Sequence, residues 1–544
     1  MNRREEDQWH NPSGCMLIGV LAVYLVAQAE WLRNWQTYCT LLWLLPSAAY
    51  LLRKDPNALR RLLYTSLGIV AATISICIRN DYAWPTSQPA REFHGEIKIQ
   101  QIFQQSKASP TISGIAELVT EQHPVWQSLH GSRTLFHLEL PLAKRVPVTG
   151  EILQVQGVLR PRQTSEALPS GFDEYLDRQG VISRLHQGYF LEIPDKSPLL
   201  LAIRQWGYDH LVHSLQEGGH HRPREQSVYL AMLTGARKYL SAQDIDLFTR
   251  SGTMHLFAIS GLHIVIVSSG VFVVLRLLRL STLLQSIIGI SVIGYYVWIT
   301  GAAPSAVRAW AAVAIYWCGY ALQRKPTPFR VLCTTAVIAL LLDPSLIHHA
   351  GFQLSYAVVA SLLLWGIPIL HWLPLEQCLW RHIPWTVLHP SQRLLRRAVR
   401  TIWNTWIISV AATLGSAPLI AAGFQLVTPG GAWINLPASL IAAGVIFAAM
   451  VSFFGHLIGL HILSDFFNQS ALLYLSLLLL WVEQLVDTPG FVQSLYDPPT
   501  TSQATLITVV GILLLLVARH PQSWLHKALL ICYPIWIVAG MSML

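Results

Sequence analysis

Residues Ser251–Arg276 read SGTMHLFAISGLHIVIVSSGVFVVLR. Most of this stretch is apolar for long enough to cross ~30 Å of hydrocarbon as a helix, yet it opens on small and polar residues. His255 and His263 stand eight positions apart, close to two helical turns, with Ser260 and Gly261 between them. Polar or non-helical backbone at membrane depth is tolerated where it is buried in protein or lines a cavity. The two histidines are therefore read either as caps and hydrogen-bond partners of neighbouring helices or as the lining of a hydrated path. A metal site is disfavoured, because no Asp, Glu or Cys joins them at ligand spacing.

Working outward, apolar runs recur at about 283–300, 306–322, 331–342, 352–373, 403–427, 432–460, 470–487, 504–518 and 528–544. Three more precede them, at Cys15–Ala29, Tyr38–Leu52 and Leu62–Ile78. The first resembles a signal segment. A retained anchor fits better, since no small-residue cleavage site follows cleanly and a second run follows at once. The expectation is a polytopic α-helical membrane protein with about thirteen transmembrane helices. Composition agrees: of 544 residues, 53% are hydrophobic and 12% charged, half the usual charged share. That excludes a disordered chain and disfavours an ordinary soluble enzyme. The net charge of +9 fits basic cytoplasmic loops as well as it fits nucleic acid. Seven cysteines, mostly in apolar runs and without a CxxC, read as buried thiols.

Between about 80 and 198 the texture changes to short alternating stretches: His94–Ile102, Gly114–Val119, Thr134–Leu140, Glu151–Leu159 and Val181–Ile193. In TLFHLEL, Phe136, Leu138 and Leu140 share one side and Leu135, His137 and Glu139 the other. Period-two alternation predicts half-buried strands, and five or six of them suggest a small OB-like β-barrel. This segment holds 11 Lys/Arg and 13 Asp/Glu, a net of −2, which argues against strong non-specific capture of phosphates. Residues 199–250 read as amphipathic connecting helices. The expected organisation is 1–79 membrane helices, 80–198 barrel, 199–250 connector and 251–544 helical bundle.

Loop charges predict the topology. Arg53, Lys54, Arg60 and Arg61 belong on the cytoplasmic side. That places the N-terminus inside and the barrel outside. Alternation then puts Arg276/Arg279, Arg324/Lys325/Arg330, Arg393–Arg400 and Arg519/Lys527 in the cytoplasm, with the C-terminus outside.

Further candidate residues lie in three clusters. Thr300–Ala309, TGAAPSAVRA, carries Pro304 and Arg308. An arginine opening a span either snorkels to the interface or faces a hydrated path. Asp343–Tyr356, DPSLIHHAGFQLSY, carries Asp343, Gln353 and Ser355, which read as interhelical hydrogen-bonding groups or as lining. Gly415–Pro437 is dense in breakers and includes Asn435 and Pro437. It suggests a broken or re-entrant helix, with a plain extracellular turn as the alternative. A Ser260/His263 hydrolase is disfavoured, because neighbours three apart on a helix rarely present nucleophile to base. No HxHxDH metal motif, Walker A or RNP motif is present, so no cofactor is expected.

Together these segments resemble the ComEC family of competence proteins. LPSGFDEYLDRQGV (Leu168–Val181), LAMLTGARKYLS (Leu230–Ser241, with Gly235) and MHLFAISGLHI (Met254–Ile264) are similar to its motifs. The three clusters above follow in family order. The resemblance implies an inner-membrane channel passing single-stranded DNA into the cytoplasm during natural transformation. The implied partners are single-stranded DNA, membrane lipid, an outer DNA receptor and a cytoplasmic helicase-like ATPase. Many members add a metallo-β-lactamase-like domain, and this chain ends at Leu544 without its histidine motif. The expectation is no nuclease here, with a separate nuclease as a further partner. A transporter or flippase of another anionic substrate is the alternative function.

Overall fold

The structure is a computed structural model. It describes residues 91–105, 111–120, 126–139, 151–162, 181–192, 199–216, 222–236, 239–324, 326–343, 349–375, 388–424, 430–486, 501–517 and 530–538, with a few single positions between. The first three apolar runs and the loop at Arg519 and Lys527 lie outside the described residues, as do the first three-quarters of Leu168–Val181 apart from isolated positions. Two units are distinguished, one over Ser75–Leu211 and one containing Val212–Leu544.

The first unit is a closed barrel of five strands: β1 (Arg91–Gln105), β2 (Thr111–Val119), β3 (Arg133–Glu139), β4 (Ile152–Pro161) and β5 (Val181–Glu192). Each coincides with one predicted alternating stretch. The hydrogen-bonded order is β1-β2-β3-β5-β4, closing on β1. Only the β3–β5 pair is parallel. Strand β1 serves both neighbours by its length: Arg91–Lys98 pair with β4 and Glu96–Gln105 with β2. Alternation fills the interior with Phe93, Ile97, Ile99, Ile112, Leu118, Phe136, Leu138, Leu153, Val155, Leu159, Leu185 and Phe190. Closure brings backbones close, and a Cβ on Gly114 would collide with the Gln101 carbonyl.

The second unit is helical. Its elements are α1 (Leu199–Gln216, which begins in the first unit), α2 (Pro223–Thr234), α3 (Ala242–Arg250), α4 (Gly261–Leu277), α5 (Thr282–Ile299), α6 (Pro304–Ala321), α7 (Pro328–Leu342) and α8 (Ala350–Ser361). Then come α9 (Ile367–Trp372), α10 (Pro390–Phe424), α11 (Gly431–Leu457), α12 (His461–Val486) and α13 (Thr501–Val517). Helices α4, α6, α8, α10 and α11 form a closed circuit in which each packs on the next and α11 returns to α4. Helix α5 buttresses α4 and α6, α12 lies along α11, and α13 packs on α10.

Among the described residues, five segments are long and apolar enough to cross a membrane: Thr282–Ile299, Ala350–Trp372, Pro390–Gly423, Trp433–Leu457 and His461–Val486. The run expected at 306–322 is helical, as α6, but is not among the five. Its tryptophans and tyrosines, with Pro304, Ser305 and Arg308, dilute the hydropathy.

Three expectations change. Helix α2 is not two-faced in its second half: Val228–Thr234 are buried without interruption, because neighbours surround it. Cys333 is buried, but Cys318 and Cys532 are exposed, on helix faces that no described helix covers. The breakers at Pro418 and Pro437 do not break α10 or α11, which run through them. The interruption is confined to 425–430. Trp433 nevertheless lies 6.0 Å from Trp406, which precedes Phe424 by five turns of α10, about 27 Å at 1.5 Å per residue. The chain therefore doubles back, and α11 starts beside the middle of α10. An irregular turn that was not anticipated does occur in α8–α9, where a π-helical turn at Leu362–Gly366 precedes Pro368. The wider turn accommodates the missing proline N–H.

On the barrel, the −2 balance conceals a local excess of positive charge. His186 has its pKa lowered below the ordinary 6.5 by partial burial, then by Arg160, His137 and Arg184 around it. A lowered folded-state pKa makes protonation favour the unfolded chain. Barrel stability should hold above about pH 6.5 and fall as pH drops through the folded value. Thermal unfolding of the full chain at pH 7.5 and pH 5 should show this fall, and His186→Asn should flatten it.

Candidate functional site

The family-like segment 251–264 is built from turns that leave few polar groups unpaired. Ser251 caps α3, and its Oγ lies 3.1 Å from the Phe248 carbonyl, to which it donates, and 2.6 Å from Thr253 Oγ1. Gly252 takes φ 72°, a conformation that suits glycine. His255 sits in the short 3-10 turn that follows, its Nδ1 3.0 Å from the Gly252 carbonyl. Ser260 is the N-cap of α4.

Ser260 Oγ and His263 Nδ1 are 3.1 Å apart. The expectation that they would not meet is therefore corrected. The reason is that Ser260 lies outside the helix, in extended backbone, so His263 can fold back over the helix end. The Ser260 N–H also points at Nδ1, at 3.4 Å. The pair is thus a helix cap. His263 is 1% exposed, and its Nε2 lies near the Met232 carbonyl of α2 without a close hydrogen bond.

The same end of the bundle gathers three helix N-termini. Ser305, in the first turn of α6, donates to the Ile259 carbonyl beside the α4 cap at 2.8 Å. Arg308 Nη2 donates to the Gly351 carbonyl in the first turn of α8 at 2.7 Å. Pro304 opens α6 at a position where its missing N–H costs nothing. Each N-terminus carries roughly half a positive charge. Space is left beside two of them, since a Cβ on Gly261 or on Gly351 would meet nothing within 4 Å. The Arg308 guanidinium lies 5.8 Å from the Phe352 ring centre and 5.9 Å from that of Tyr356.

Gly235 joins this corner from α2. It is the left-handed C-cap, φ 71°, and its Cα faces Ile259, whose Cγ1 would be 3.2 Å from an added Cβ. Gln353 and Ser355 lie on α8 beyond Gly351, and Asp343 ends α7. Asn435 and Pro437 are carried by α11, and Asn435 Oδ1 is buried without a hydrogen bond. The structure thus brings Gly235, Ser260, Gly261, His263, Pro304 and Arg308 to one corner. Among the described residues, no bond ties Asn435 or Pro437 to it.

Sequence reasoning missed the polar ladder that fixes α2. Asn468 of α12, fully buried, donates to the Ser214 carbonyl at 2.8 Å and accepts from Tyr229 at 3.1 Å. Two turns on, Ser476 Oγ lies 2.7 Å from Arg222 Nη1 and 3.1 Å from Glu225 Oε1. Arg224 pairs with Asp244 at 2.8 Å and with Glu483 at 2.7 Å. Tyr296 of α5 donates to the Leu233 carbonyl at 3.1 Å. The spacing Asn468, Ser476, Glu483, a polar stripe on one side of an apolar helix, was the available signal.

The fold and this corner define a helical membrane protein with an added OB-like barrel and an electropositive meeting point of helix ends. A family model described as competence protein matches residues 232–520, more than half of the chain, and the chain belongs to that family. ComE operon protein 3 of Bacillus subtilis (strain 168) is 26% identical over 316 residues, 55% of this chain and 35% of that protein. Recombination protein 2 of Haemophilus influenzae is 22% identical over 201 residues, 36% of this chain and 24% of that protein. The uncharacterized protein YcaI of Escherichia coli (strain K12) is 32% identical over 149 residues, 26% of this chain and 19% of that protein. The chain thus spans about a third or less of the length of these relatives. No solved structure matches it.

Asn468→Leu should strand the Tyr229 hydroxyl and the Ser214 carbonyl in an apolar setting, a loss of about 1–3 kcal/mol. Tyr229→Phe removes one bond and should cost about 1 kcal/mol. Denaturation of the purified full chain in detergent checks both, and equal stability of all three proteins would remove the ladder from the account.

Proposed function

We propose that this chain conducts single-stranded DNA across the cell's inner membrane into the cytoplasm during natural transformation. The observation that carries the reading is the corner where the N-termini of α4, α6 and α8 are held together by Ser305 and Arg308. Helix N-termini at membrane depth are a recurring way to receive anionic groups, and a DNA strand presents one such group per nucleotide. Membership of the competence protein family and the name of the recombination protein among its relatives support DNA uptake over other anion transport.

On this reading the path runs past Gly261 and Gly351, with His263, Gln353, Ser355 and Asn435 on elements that border it. Arg276, Arg279, Arg324, Lys325, Arg330 and Arg393–Arg400 face the cytoplasm, and the barrel and C-terminus lie outside. The strand arrives from an outer receptor, is drawn in by a helicase-like ATPase, and is freed of its complement by a nuclease. The chain acts as a channel rather than an enzyme.

Uptake of labelled DNA into the cytoplasm of the native host tests this. Deletion should abolish it and the wild-type gene should restore it. Gly261→Leu and Gly351→Leu fill space that the fold leaves open, so each should insert normally and lower uptake at least tenfold. Unchanged uptake on deletion would turn attention to another anionic substrate. Full uptake by both leucine variants would move the path away from this corner.

A further inference from the structure

Arg308 is a cation that the described protein does not neutralise. Its partners are the Gly351 carbonyl and the faces of Phe352 and Tyr356. Its Nε is buried and has no hydrogen-bond partner. Among the described residues no carboxylate pairs with it. The placement is unfavourable for a lone guanidinium. It lies against the first turn of α8, whose exposed N–H groups make that end positive, and ring faces compensate a buried charge only in part. A snorkelling arginine would instead direct its head to water. A tyrosine face, a phenylalanine face and a carbonyl hold one side of the group and leave Nη1–H to donate elsewhere.

We propose that Arg308 binds a phosphodiester oxyanion, which accepts from the uncommitted Nη1–H while Phe352 and Tyr356 wall the guanidinium. Planar, directional donation suits phosphate, and a lysine does not reproduce it. The open positions at Gly261 and Gly351 leave room beside the same helix ends. The inference rests on the transport reading for its ligand, the backbone of the conducted strand. A phospholipid headgroup offers the same chemistry and is separated by experiment.

The test uses the purified full chain in nanodiscs of zwitterionic lipid. The probe is an eight-residue oligothymidylate carrying a photoreactive 4-thiothymidine, with adducts mapped by peptide mass spectrometry. Adducts are expected on Phe352–Tyr356. Arg308→Gln should lower their yield at least tenfold, and an uncharged methylphosphonate version of the probe should do the same with the wild type. Arg308→Lys, which keeps the charge for insertion, and Tyr356→Leu should each lower the yield several-fold. An unchanged yield in Arg308→Gln, or equal yield from the uncharged probe, would overturn the proposal. Glycerophosphoglycerol, the soluble headgroup of an anionic lipid, supplies the second arm. If it raises the thermal midpoint of the wild type but not of Arg308→Gln, and the oligonucleotide gives no adduct, the phosphate site stands and the transport reading fails.

Discussion

A polar group on a helix surrounded by apolar material has to find its partner inside the protein. That requirement organises the helical unit around α2. Its last two turns are buried on every side, so polar atoms it carries there turn to particular neighbours. Tyr229 reaches Asn468, the Leu233 carbonyl receives Tyr296, and the Met232 carbonyl faces His263. Three elements far apart in sequence are thus registered against one short helix. Gly235 ends it in a left-handed conformation, and the chain leaves the interior without a side chain that would press on Ile259.

The same constraint explains α12. An apolar helix with Asn468, Ser476 and Glu483 on one side is costly wherever that side meets hydrocarbon. Covering it with α2 converts the stripe into three separate attachments, a buried amide, a hydroxyl between opposite charges, and an ion pair at the partly exposed end. The buried amide contributes most to specificity, since Asn468 satisfies a backbone carbonyl and a hydroxyl at once. The ion pair of Arg224 with Glu483 is the most exposed of the three and is worth correspondingly less.

How much of this is legible in the sequence depends on whether a residue pattern has a period. The barrel strands do: Phe136 and Leu138 alternate with His137 and Glu139, and the strands lie where the alternation puts them. Apolar helices have no comparable face, so the run 306–322 reads as one span among many while its packing role in α6 is invisible. The doubling back after Phe424 is visible as a density of Gly and Pro, but not its geometry, because the contact of Trp433 with Trp406 depends on tertiary packing. The Ser260–His263 contact is not legible, because a spacing of three reads as helical throughout, whereas Ser260 sits one residue outside the helix. Asn468 and Tyr229 are 239 positions apart, and nothing local in either segment points to the other.

A path for a polyanion through an apolar layer has to attract phosphate without trapping it, because conduction requires entry and departure at each point. Charge supplied by helix ends suits that demand. Three partial charges spread over the first turns of α4, α6 and α8 attract any phosphate nearby, yet none can close an ion pair of full strength. Arg308 is the exception, a whole charge at the same corner, and its surroundings moderate it. One of its N–H groups is committed to the Gly351 carbonyl, and two ring faces share the rest of its field. A second unpaired arginine there would deepen the well, whereas a paired one would remove it. On the proposed reading, one guanidinium among helix ends keeps a strand in register while still letting it pass.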